Sequence, residues 1–105
     1  MYMRPKPGII SFDWDEGNLD KSRRKHGVTP EETESVFSDE NGFILPDERH
    51  SDQEDRQVLF GKSDQQRHLF VVFTIRDSKV RIISARRMHQ KEVEKYEKIK
   101  KDTDI

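Results

Sequence analysis

The sequence predicts an α+β fold in which a mainly antiparallel sheet of four to five strands is combined with two N-terminal helices and one C-terminal helix. Three observations predict it. Apolar residues are concentrated in runs at 58–60, 69–73 and 80–83, and short polar turns separate them as in an antiparallel meander. Helix-start signals occupy positions 13–16 and 29–32. After residue 88 apolar residues recur every three positions, which is typical of a helix with a narrow apolar stripe.

A short strand and a first helix are predicted near the start of the chain. The apolar residues between Ile9 and Trp14 form the strand. Asp13 and Glu16 have the spacing of a capping box, in which two side chains satisfy free backbone N–H groups of the first helical turn. Polar residues that favour a helix continue to His26, and Gly27 supplies a C-terminal stop.

A second helix has a clearer start. Thr29 is a preferred N-cap residue, Pro30 suits the first helical turn, and Glu32 has the position that closes a capping box. This helix is predicted to run to about Phe37, with Val36 and Phe37 facing the core. Both helices therefore precede the main strands of the sheet.

The other strands and the last helix are predicted from apolar runs and turn residues. The run 69–73 contains no polar residue, which indicates a central strand that is covered on both faces. Residues 47–55 are polar and are predicted to form a loop. The stripe of Val93, Tyr96 and Ile99 either packs on the sheet or contacts a partner. The predicted strands are 43–45, 56–61, 67–75 and 79–87, and the predicted helix follows residue 88 and ends at about 101.

Composition limits the classes of protein that fit. The 105 residues suit one domain, for which we expect residues 1–8 and 102–105 to be flexible tails. The chain has no cysteine, which excludes disulfides and thiolate metal sites. No apolar run is long enough to span a bilayer, and residues 1–8 lack the apolar segment of a signal peptide. We therefore expect a cytoplasmic protein that does not contact a membrane.

The net charge of −1 conceals a division of charge along the chain. Residues 1–55 carry 7 Lys and Arg against 14 Asp and Glu, whereas residues 56–105 carry 13 against 7. This asymmetry indicates a basic surface for an anionic partner and an acidic region for a basic one. The alternative is that the two halves are complementary within one fold.

The run Lys79–Arg87 combines core-forming residues with three arginines, at positions 81, 86 and 87. Guanidinium groups are permanently charged and match phosphate oxygens, so the run predicts an anion-binding site that stabilises a charged transition state. The alternative is that the arginines are solvated and paired with carboxylates of the acidic half. Strand alternation predicts two faces, one with Val80, Ile82, Ser84 and Arg86 and the other with Arg81, Ile83, Ala85 and Arg87.

Histidines supply candidates for proton transfer. His26 follows Lys25 at the end of the first helix, where an imidazole would serve as a general acid or base and the lysine as a phosphate contact. The alternative is that both residues only complement the negative end of the helix dipole. His68 and His89 flank a strand and a helix, at positions from which they could reach the same cleft as the arginines.

The polar loop contains a third group of candidates, Asp47-Glu48-Arg49-His50 with Glu54 and Arg56. A carboxylate and a histidine in one loop suit an acid–base pair. The loop also offers carboxylate and imidazole ligands for a divalent metal, but their spacing matches no repeated metal motif. We therefore expect neither a metal nor another cofactor, and the alternative for the loop is a solvated acidic segment. The residues considered as ligands are Asp47, His50, Asp52 and Asp55.

Several motifs occur in one order along nearly the whole chain. They are Phe12-Asp13-Trp14-Asp15, Lys25-His26-Gly27-Val28, Glu32, Val36-Phe37, Asp47-Glu48-Arg49-His50-Ser51, Glu54-Asp55-Arg56, Gly61, Arg81-Ile82-Ile83-Ser84-Ala85-Arg86-Arg87, Glu92 and Tyr96. Over residues 12–96 this ordered set resembles the BrnT family of toxins. The resemblance implies a RelE/ParE-like fold and a ribonuclease toxin of a type II toxin–antitoxin module. It also implies a hetero-oligomer with a BrnA-type ribbon-helix-helix antitoxin, through which alone the toxin would contact operator DNA.

The resemblance and the residues together predict a metal-independent endoribonuclease that arrests growth by cleaving RNA through attack of a ribose 2′-hydroxyl on the adjacent phosphate. The expected catalytic residues are His26, Glu54, Arg81, Arg86 and Arg87, and the expected RNA-binding residues are Lys25, Arg56 and Arg81. On this view Arg86→Ala abolishes cleavage and leaves the thermal melt nearly unchanged. Two other hypotheses stay open: a non-catalytic binding module that acts with its antitoxin in autoregulation, and a gyrase-poisoning toxin on the same fold.

Overall fold

A computed structural model of the chain describes residues 11–14, 16–47 and 55–103, with the backbone alone at 18, 19, 102 and 103. Within these ranges it contains five strands and three helices. In chain order they are β1 (Phe12–Trp14), α1 (Glu16–His26), α2 (Pro30–Ser35), β2 (Phe43–Pro46), β3 (Gln57–Lys62), β4 (His68–Arg76), β5 (Lys79–Arg87) and α3 (Gln90–Thr103). A 3-10 turn, Val36–Ser38, extends α2. None of the helices in the described ranges is long and apolar enough to cross a membrane.

The five strands form one mixed sheet in the order β1-β5-β4-β3-β2. Three of the four pairings are antiparallel, and β1 runs parallel to β5 at one edge. The predicted α+β class, the mainly antiparallel sheet and the placement of two helices before it and one after it are therefore confirmed. The run 69–73 lies in β4, the central strand, as predicted.

Most predicted boundaries differ from the observed ones by one or two residues, and one predicted cap is wrong. Asp13 lies within β1 and not at a helix N-cap, and its carboxylate is 3.4 Å from the Arg81 guanidinium. Thr29 caps α2 as predicted, because its side chain accepts the backbone N–H of Glu32. The helix α3 continues to Thr103, beyond the predicted end at about residue 101. Residues 1–10 lie outside the described ranges.

The two faces of the sheet carry separate apolar clusters. One face packs against α1, α2 and the 3-10 turn, and this cluster includes Val36, Phe37 and Leu69. The opposite face packs against α3 through Tyr96 and Ile99, which are 1% and 8% exposed. The predicted stripe of α3 therefore covers the sheet, and its last two residues are not available to a partner in this conformation.

A β-bulge interrupts the alternation of side chains along β5. The register between β4 and β5 shifts between Val72 and Phe73, which leaves Ile83 without a directly opposed residue. Beyond the bulge the two faces of β5 are exchanged. Ile82 and Ala85 therefore lie in the same buried cluster, although simple alternation predicts opposite faces.

The bulge corrects the predicted placement of the arginines. Arg86 is paired with Phe70, which belongs to the cluster under α3, whereas Arg87 is paired with Leu69, which belongs to the cluster under α1 and α2. Directly opposed residues of two strands share a face. Arg87 thus lies on the α1 side of the sheet, where strand alternation alone would have placed Arg86.

A buried carboxylate joins the helices to the sheet. Glu32 is 2% exposed, and both of its oxygens accept hydrogen bonds from the Arg67 guanidinium at the start of β4. Ser63 donates a third hydrogen bond of 2.7 Å from the turn between β3 and β4. The Arg67 hydrogen bonds lower the pKa of Glu32 below its ordinary value, against the effect of burial. Because its carboxylate is used in this way, Glu32 stabilises tertiary packing instead of closing the predicted capping box.

A second carboxylate, Asp39, fixes α3 against the sheet. Its Oδ2 atom accepts hydrogen bonds of 2.7 Å from the Lys62 backbone N–H and from the Tyr96 hydroxyl. Its Oδ1 atom accepts from the Asn41 backbone N–H in the turn before β2. The position of α3 over the sheet therefore depends on the turn before β2, which is an edge strand of the sheet.

Replacing Glu32 is expected to destabilise the fold. Glu32→Gln should lower the free energy of unfolding by about 2–3 kcal/mol at neutral pH, because it removes the buried carboxylate that pairs with the partly buried Arg67 guanidinium. Urea unfolding measures this difference. Glu31→Gln is the matched control, because Glu31 is exposed in the same helical turn; a loss as large in this control would contradict the assignment.

The same carboxylate makes stability depend on pH in the acid range. Because the pKa of Glu32 is lower in the folded state, the unfolded state binds the additional proton. This stabilisation is complete above the ordinary glutamate range near pH 4.3 and is lost as the pH falls through the folded pKa. Unfolding midpoints of the wild type should therefore decrease more steeply below about pH 4.3 than those of Glu32→Gln. Parallel curves would show that Glu32 does not titrate in this way.

Candidate active site

One pocket is lined by most of the residues of the sheet and the first helix that the sequence predicts to be catalytic or RNA-binding. It has a volume of about 380 Å³ and lies where α1 and β5 end and α3 begins. Cationic and imidazole side chains dominate its lining, which suits an anion of nucleotide size. The lining residues are Lys25, His26, Arg86, Arg87, Met88 and His89.

The end of α1 is fixed from two directions. Gly27 has φ +63°, a left-handed conformation that ends the helix, and its N–H donates to the Arg23 carbonyl. The Gly27 carbonyl accepts a hydrogen bond of 3.0 Å from Arg67, the arginine that also binds Glu32. Because of these contacts, Lys25 and His26 are held in the last helical turn beside the sheet.

A buried hydroxyl anchors α1 on the strand that carries the arginines. Ser22 is 3% exposed, and its Oγ accepts the backbone N–H of Ala85 at 3.3 Å. Ala85 is fully buried and has no side chain beyond Cβ, so the helix approaches the strand closely. This contact sets the distance between the end of α1 and Arg87, two residues beyond Ala85.

Arg86 is engaged by neighbouring groups on the α3 side of the sheet. Its guanidinium donates two hydrogen bonds, of 2.8 and 3.0 Å, to the two oxygens of Glu92. It also donates to the Arg87 carbonyl and lies 3.8 Å from the centre of the Phe70 ring. These contacts predict that Arg86→Ala lowers stability, in contrast to the nearly unchanged melt expected from the sequence.

Glu92 connects the arginine to the start of α3. Its Oε1 atom accepts the His89 backbone N–H at 2.7 Å, which is the reciprocal half of a capping box. Burial raises the pKa of Glu92, but the hydrogen bonds from Arg86 and from the His89 backbone outweigh burial and hold this pKa below its ordinary value. One ionised carboxylate therefore orients Arg86 and also holds His89 at the rim of the pocket.

The other polar side chains of the pocket have no such partners. Within the described ranges, the side chains of Lys25, His26, Arg87 and His89 make no hydrogen bond or ion pair, and all four are exposed. At longer range, Arg87 contributes to the lowered pKa of Glu32, and His89 contributes to the lowered pKa of Glu92. Within the described part of the chain, two basic side chains and two imidazoles are thus available to a ligand.

The remaining predicted residues lie elsewhere or outside the described ranges. Arg81 does not line the pocket and pairs with Asp13. Because of the bulge, Arg81 and Arg87 lie opposite residues of β4 that are only five positions apart, so at about 3.3 Å per residue they are separated by roughly 17 Å. Arg56 precedes β3, and its carbonyl accepts the Asp47 N–H. Three arginines therefore do not converge on one pocket.

The predicted residues outside the described ranges are Glu48, Arg49, His50, Ser51, Asp52 and Glu54.

The two histidines considered with the cleft have different surroundings. His89 lines the pocket, although it is not among the predicted catalytic residues. His68 instead contacts the Glu97 carboxylate at 2.8 Å and packs its ring against Tyr96. The position of His89 directly before a helical pattern and two residues after Arg87 is the signal that would have identified it.

A larger pocket, of about 510 Å³, lies beside the turn between β3 and β4. It combines Lys62 and Lys100 with Asp39, Glu40 and Asp64, so it has no predominant charge. None of the residues predicted to be catalytic or RNA-binding lines it. We therefore regard the smaller, cationic pocket as the candidate active site.

Fold and pocket together define a small α+β protein with a cationic, imidazole-containing pocket at one end of its sheet, a class suited to phosphate ligands. A family model described as "Ribonuclease toxin, BrnT, of type II toxin-antitoxin system" matches residues 14–92. The chain therefore belongs to the BrnT family of ribonuclease toxins, and membership implies an antitoxin partner.

A solved structure has the same fold. The 1.1 Å crystal structure of the Brucella abortus ribonuclease toxin BrnT superposes with a TM-score of 0.59 at 21% sequence identity. The match covers 78% of this chain and 100% of the Brucella chain. A search of curated protein sequences found no significant match.

The double role of Glu92 predicts a clear stability effect. Glu92→Ala removes a bidentate charged pair and a helix cap, so it should lower the free energy of unfolding by about 2–3 kcal/mol. Glu94→Ala, at an exposed position one residue beyond Val93 in the same helix, should change it by less than about 0.5 kcal/mol. Thermal or urea unfolding of both variants checks the expectation, and similar effects at the two positions would argue against it.

Proposed function

We propose that this protein is a metal-independent endoribonuclease toxin whose active site is the pocket between α1, β5 and α3. One observation carries the proposal. Lys25 and Arg87 lie around one cavity with two imidazoles, and in the described part of the chain no carboxylate neutralises either cation by an ion pair. Phosphoryl transfer needs positive charge at the phosphate and groups that move two protons, and this pocket offers both.

The reaction is attack of a ribose 2′-oxygen on the adjacent phosphorus. The new P–O2′ bond forms as the P–O5′ bond breaks, which leaves a 2′,3′-cyclic phosphate and a free 5′-hydroxyl. The 2′-proton passes to a general base, for which His26 and Glu54 are the candidates, and the leaving 5′-oxygen takes a proton from His89 acting as the general acid. No metal is required because proton transfer and charge stabilisation come from side chains.

The cations have distinct roles in this scheme. Arg87 and Lys25 contact the non-bridging phosphate oxygens and stabilise the charge that develops there. Arg86 is held by Glu92 and Phe70, so it contributes a fixed positive charge at the rim of the pocket. Arg81 and Arg56 are outside the pocket lining, so their proposed role is limited to contacts with more distant parts of the RNA.

The antitoxin is proposed to be a BrnA-type ribbon-helix-helix protein. Support comes from family membership, since type II modules pair a toxin with a protein antitoxin. In the resulting hetero-oligomer the antitoxin covers the cationic pocket, and operator DNA is contacted by the antitoxin alone. The proposal places the active toxin in the cytoplasm, where its RNA substrate is found.

A second candidate function has one observation in its favour. Arg86 and Arg81 are paired with Glu92 and Asp13, so among the described residues Arg87 alone of the three arginines of β5 has no carboxylate partner. A toxin-like fold with such a reduced cation set would suit a binding module that regulates transcription with its antitoxin. Growth after induction of the chain alone separates the candidates: arrest supports the ribonuclease, and harmless expression of folded protein supports the binding module.

Cleavage by purified protein tests the proposed active site. The wild type should cut RNA in the presence of EDTA and leave 2′,3′-cyclic phosphate ends, and Arg87→Ala should reduce kcat/KM by roughly 100- to 1,000-fold. Lys79→Ala is the matched control, at an exposed position on the same strand but outside the pocket, and should stay within about threefold of the wild type. Equal losses in both variants, or no loss in Arg87→Ala, would remove the pocket from the mechanism.

The role of His89 is tested with a substrate that needs no general acid. A 5′-bridging sulfur leaves as a thiolate, whose conjugate acid has a pKa of about 8.5, so it requires little protonation. His89→Gln should cut an ordinary oligonucleotide at least about 100-fold more slowly and regain most of this loss on the thio-substituted one. His26→Gln, which affects the base side, should be slow on both. Equal defects of His89→Gln on the two substrates would exclude proton donation.

A further inference from the structure

We propose that three lysines on the outer side of α3, Lys91, Lys95 and Lys98, form a binding surface for the phosphate backbone of RNA that extends beyond the pocket. We call them the lysine stripe. The inference rests on the proposed function, which supplies the RNA, and adds a second contact surface to it. The observations that carry it are the geometry of α3, the unpaired charges along it and its continuity with the pocket.

The lysine stripe lies outside the side of α3 that packs on the sheet, and Lys95 is at its edge, beside the Phe60 ring of β3. Tyr96 and Ile99 are buried, whereas all three lysines are exposed. With 3.6 residues per turn, the three positions fall within about 60° of one another around the helix axis. A rise of 1.5 Å per residue spreads them over about 10 Å along the axis. They therefore present one continuous row of ammonium groups.

The charges of this row are not compensated within the described part of the protein. None of the three lysines forms an ion pair there, and Lys95 only lies 5.9 Å from the centre of the Phe60 ring. Like charges at i, i+3 and i, i+4 repel each other and destabilise a helix. Glu94 lies on the same side but forms no ion pair with Lys91 or Lys98. An anionic ligand would relieve this repulsion.

The lysine stripe begins beside the pocket. His89 lines the pocket and immediately precedes α3, so Lys91 is in the first helical turn after it. A polynucleotide whose scissile phosphate lies in the pocket therefore meets the lysines when it leaves along α3. This continuity favours RNA over an acidic segment of a protein, because the repeated phosphates of one strand fill both the pocket and the row.

Salt dependence of binding tests the inference without relying on catalysis. The ligand is a 2′-O-methylated RNA of about 20 nucleotides, which lacks the 2′-hydroxyl and is not cleaved by the proposed mechanism. For single strands the slope of log K against log salt changes by about 0.7 for each phosphate contact. Lys91→Gln with Lys98→Gln should therefore reduce the slope by about 1.4 and weaken binding roughly 10-fold at physiological salt. Addition of Lys95→Gln should reduce the slope and the affinity further.

A charge-matched control and a short substrate separate the outcomes. Arg76→Gln with Lys79→Gln removes two exposed cations at the hairpin between β4 and β5 and should leave the slope unchanged. Cleavage of a ribodinucleotide, which fills only the pocket, should be unaffected in the lysine variant. Equal slopes for the lysine variant and the wild type overturn the inference, as does a lysine variant that loses antitoxin binding but retains RNA binding. Failure of the wild type to cleave any RNA would instead refute the proposed function.

Discussion

The position of the candidate site depends on the buried ion pair between Glu32 and Arg67. Arg67 binds this carboxylate and also the Gly27 carbonyl, so one guanidinium joins α2, the end of α1 and the start of β4. A buried charge is tolerated only with its partner in place. Loss of either Glu32 or Arg67 would therefore disrupt the contacts among all three elements. Lys25 and His26 are therefore placed by an interaction that lies outside the pocket and contributes no group to it.

The bulge at Ile83 decides which arginine of β5 faces which helix. In a regular strand Arg86 would share a face with Ile82 and lie on the α1 side. One inserted residue exchanges the faces, so Arg87 approaches the end of α1 while Arg86 stacks on Phe70 and pairs with Glu92. The two adjacent arginines therefore differ in their surroundings. Arg86 is held by protein groups, whereas Arg87 is exposed in the pocket.

Helix-capping residues, turn residues and long apolar runs made most of the fold predictable. Gly27 marks the end of α1 and the Thr29-Pro30 pair marks the start of α2. The bounds of β5 agree with the prediction because tight turn residues precede it. The family could also be identified from ordered motifs. The bulge was not predictable, because the register of two strands is set by packing across the sheet and not by the sequence of either strand.

The partners of charged residues were predicted less well than the residues themselves. Lys25, His26, Arg86 and Arg87 surround one pocket, but neither the pairing of Arg86 with Glu92 nor the distance to Arg81 follows from spacing along one strand. Glu32 was assigned to a local cap because its tertiary partner is 35 residues away. His89 was considered for the cleft together with His68 but was given no catalytic role, because only the direction in which α3 leaves the sheet distinguishes the two.

The parallel pairing of β1 with β5 has a consequence for synthesis of the protein on the ribosome. Asp13 and Arg81 are neighbours across this pair although 68 residues separate them in the chain. Among the five strands, β1 emerges first and has no partner strand until β5 has been translated. Arg86 and Arg87 are the last residues of β5, and His89 follows them. A nascent chain therefore completes its cationic pocket only after residue 89 has emerged, so shorter products lack groups that are proposed to attack RNA, including the message from which they are read.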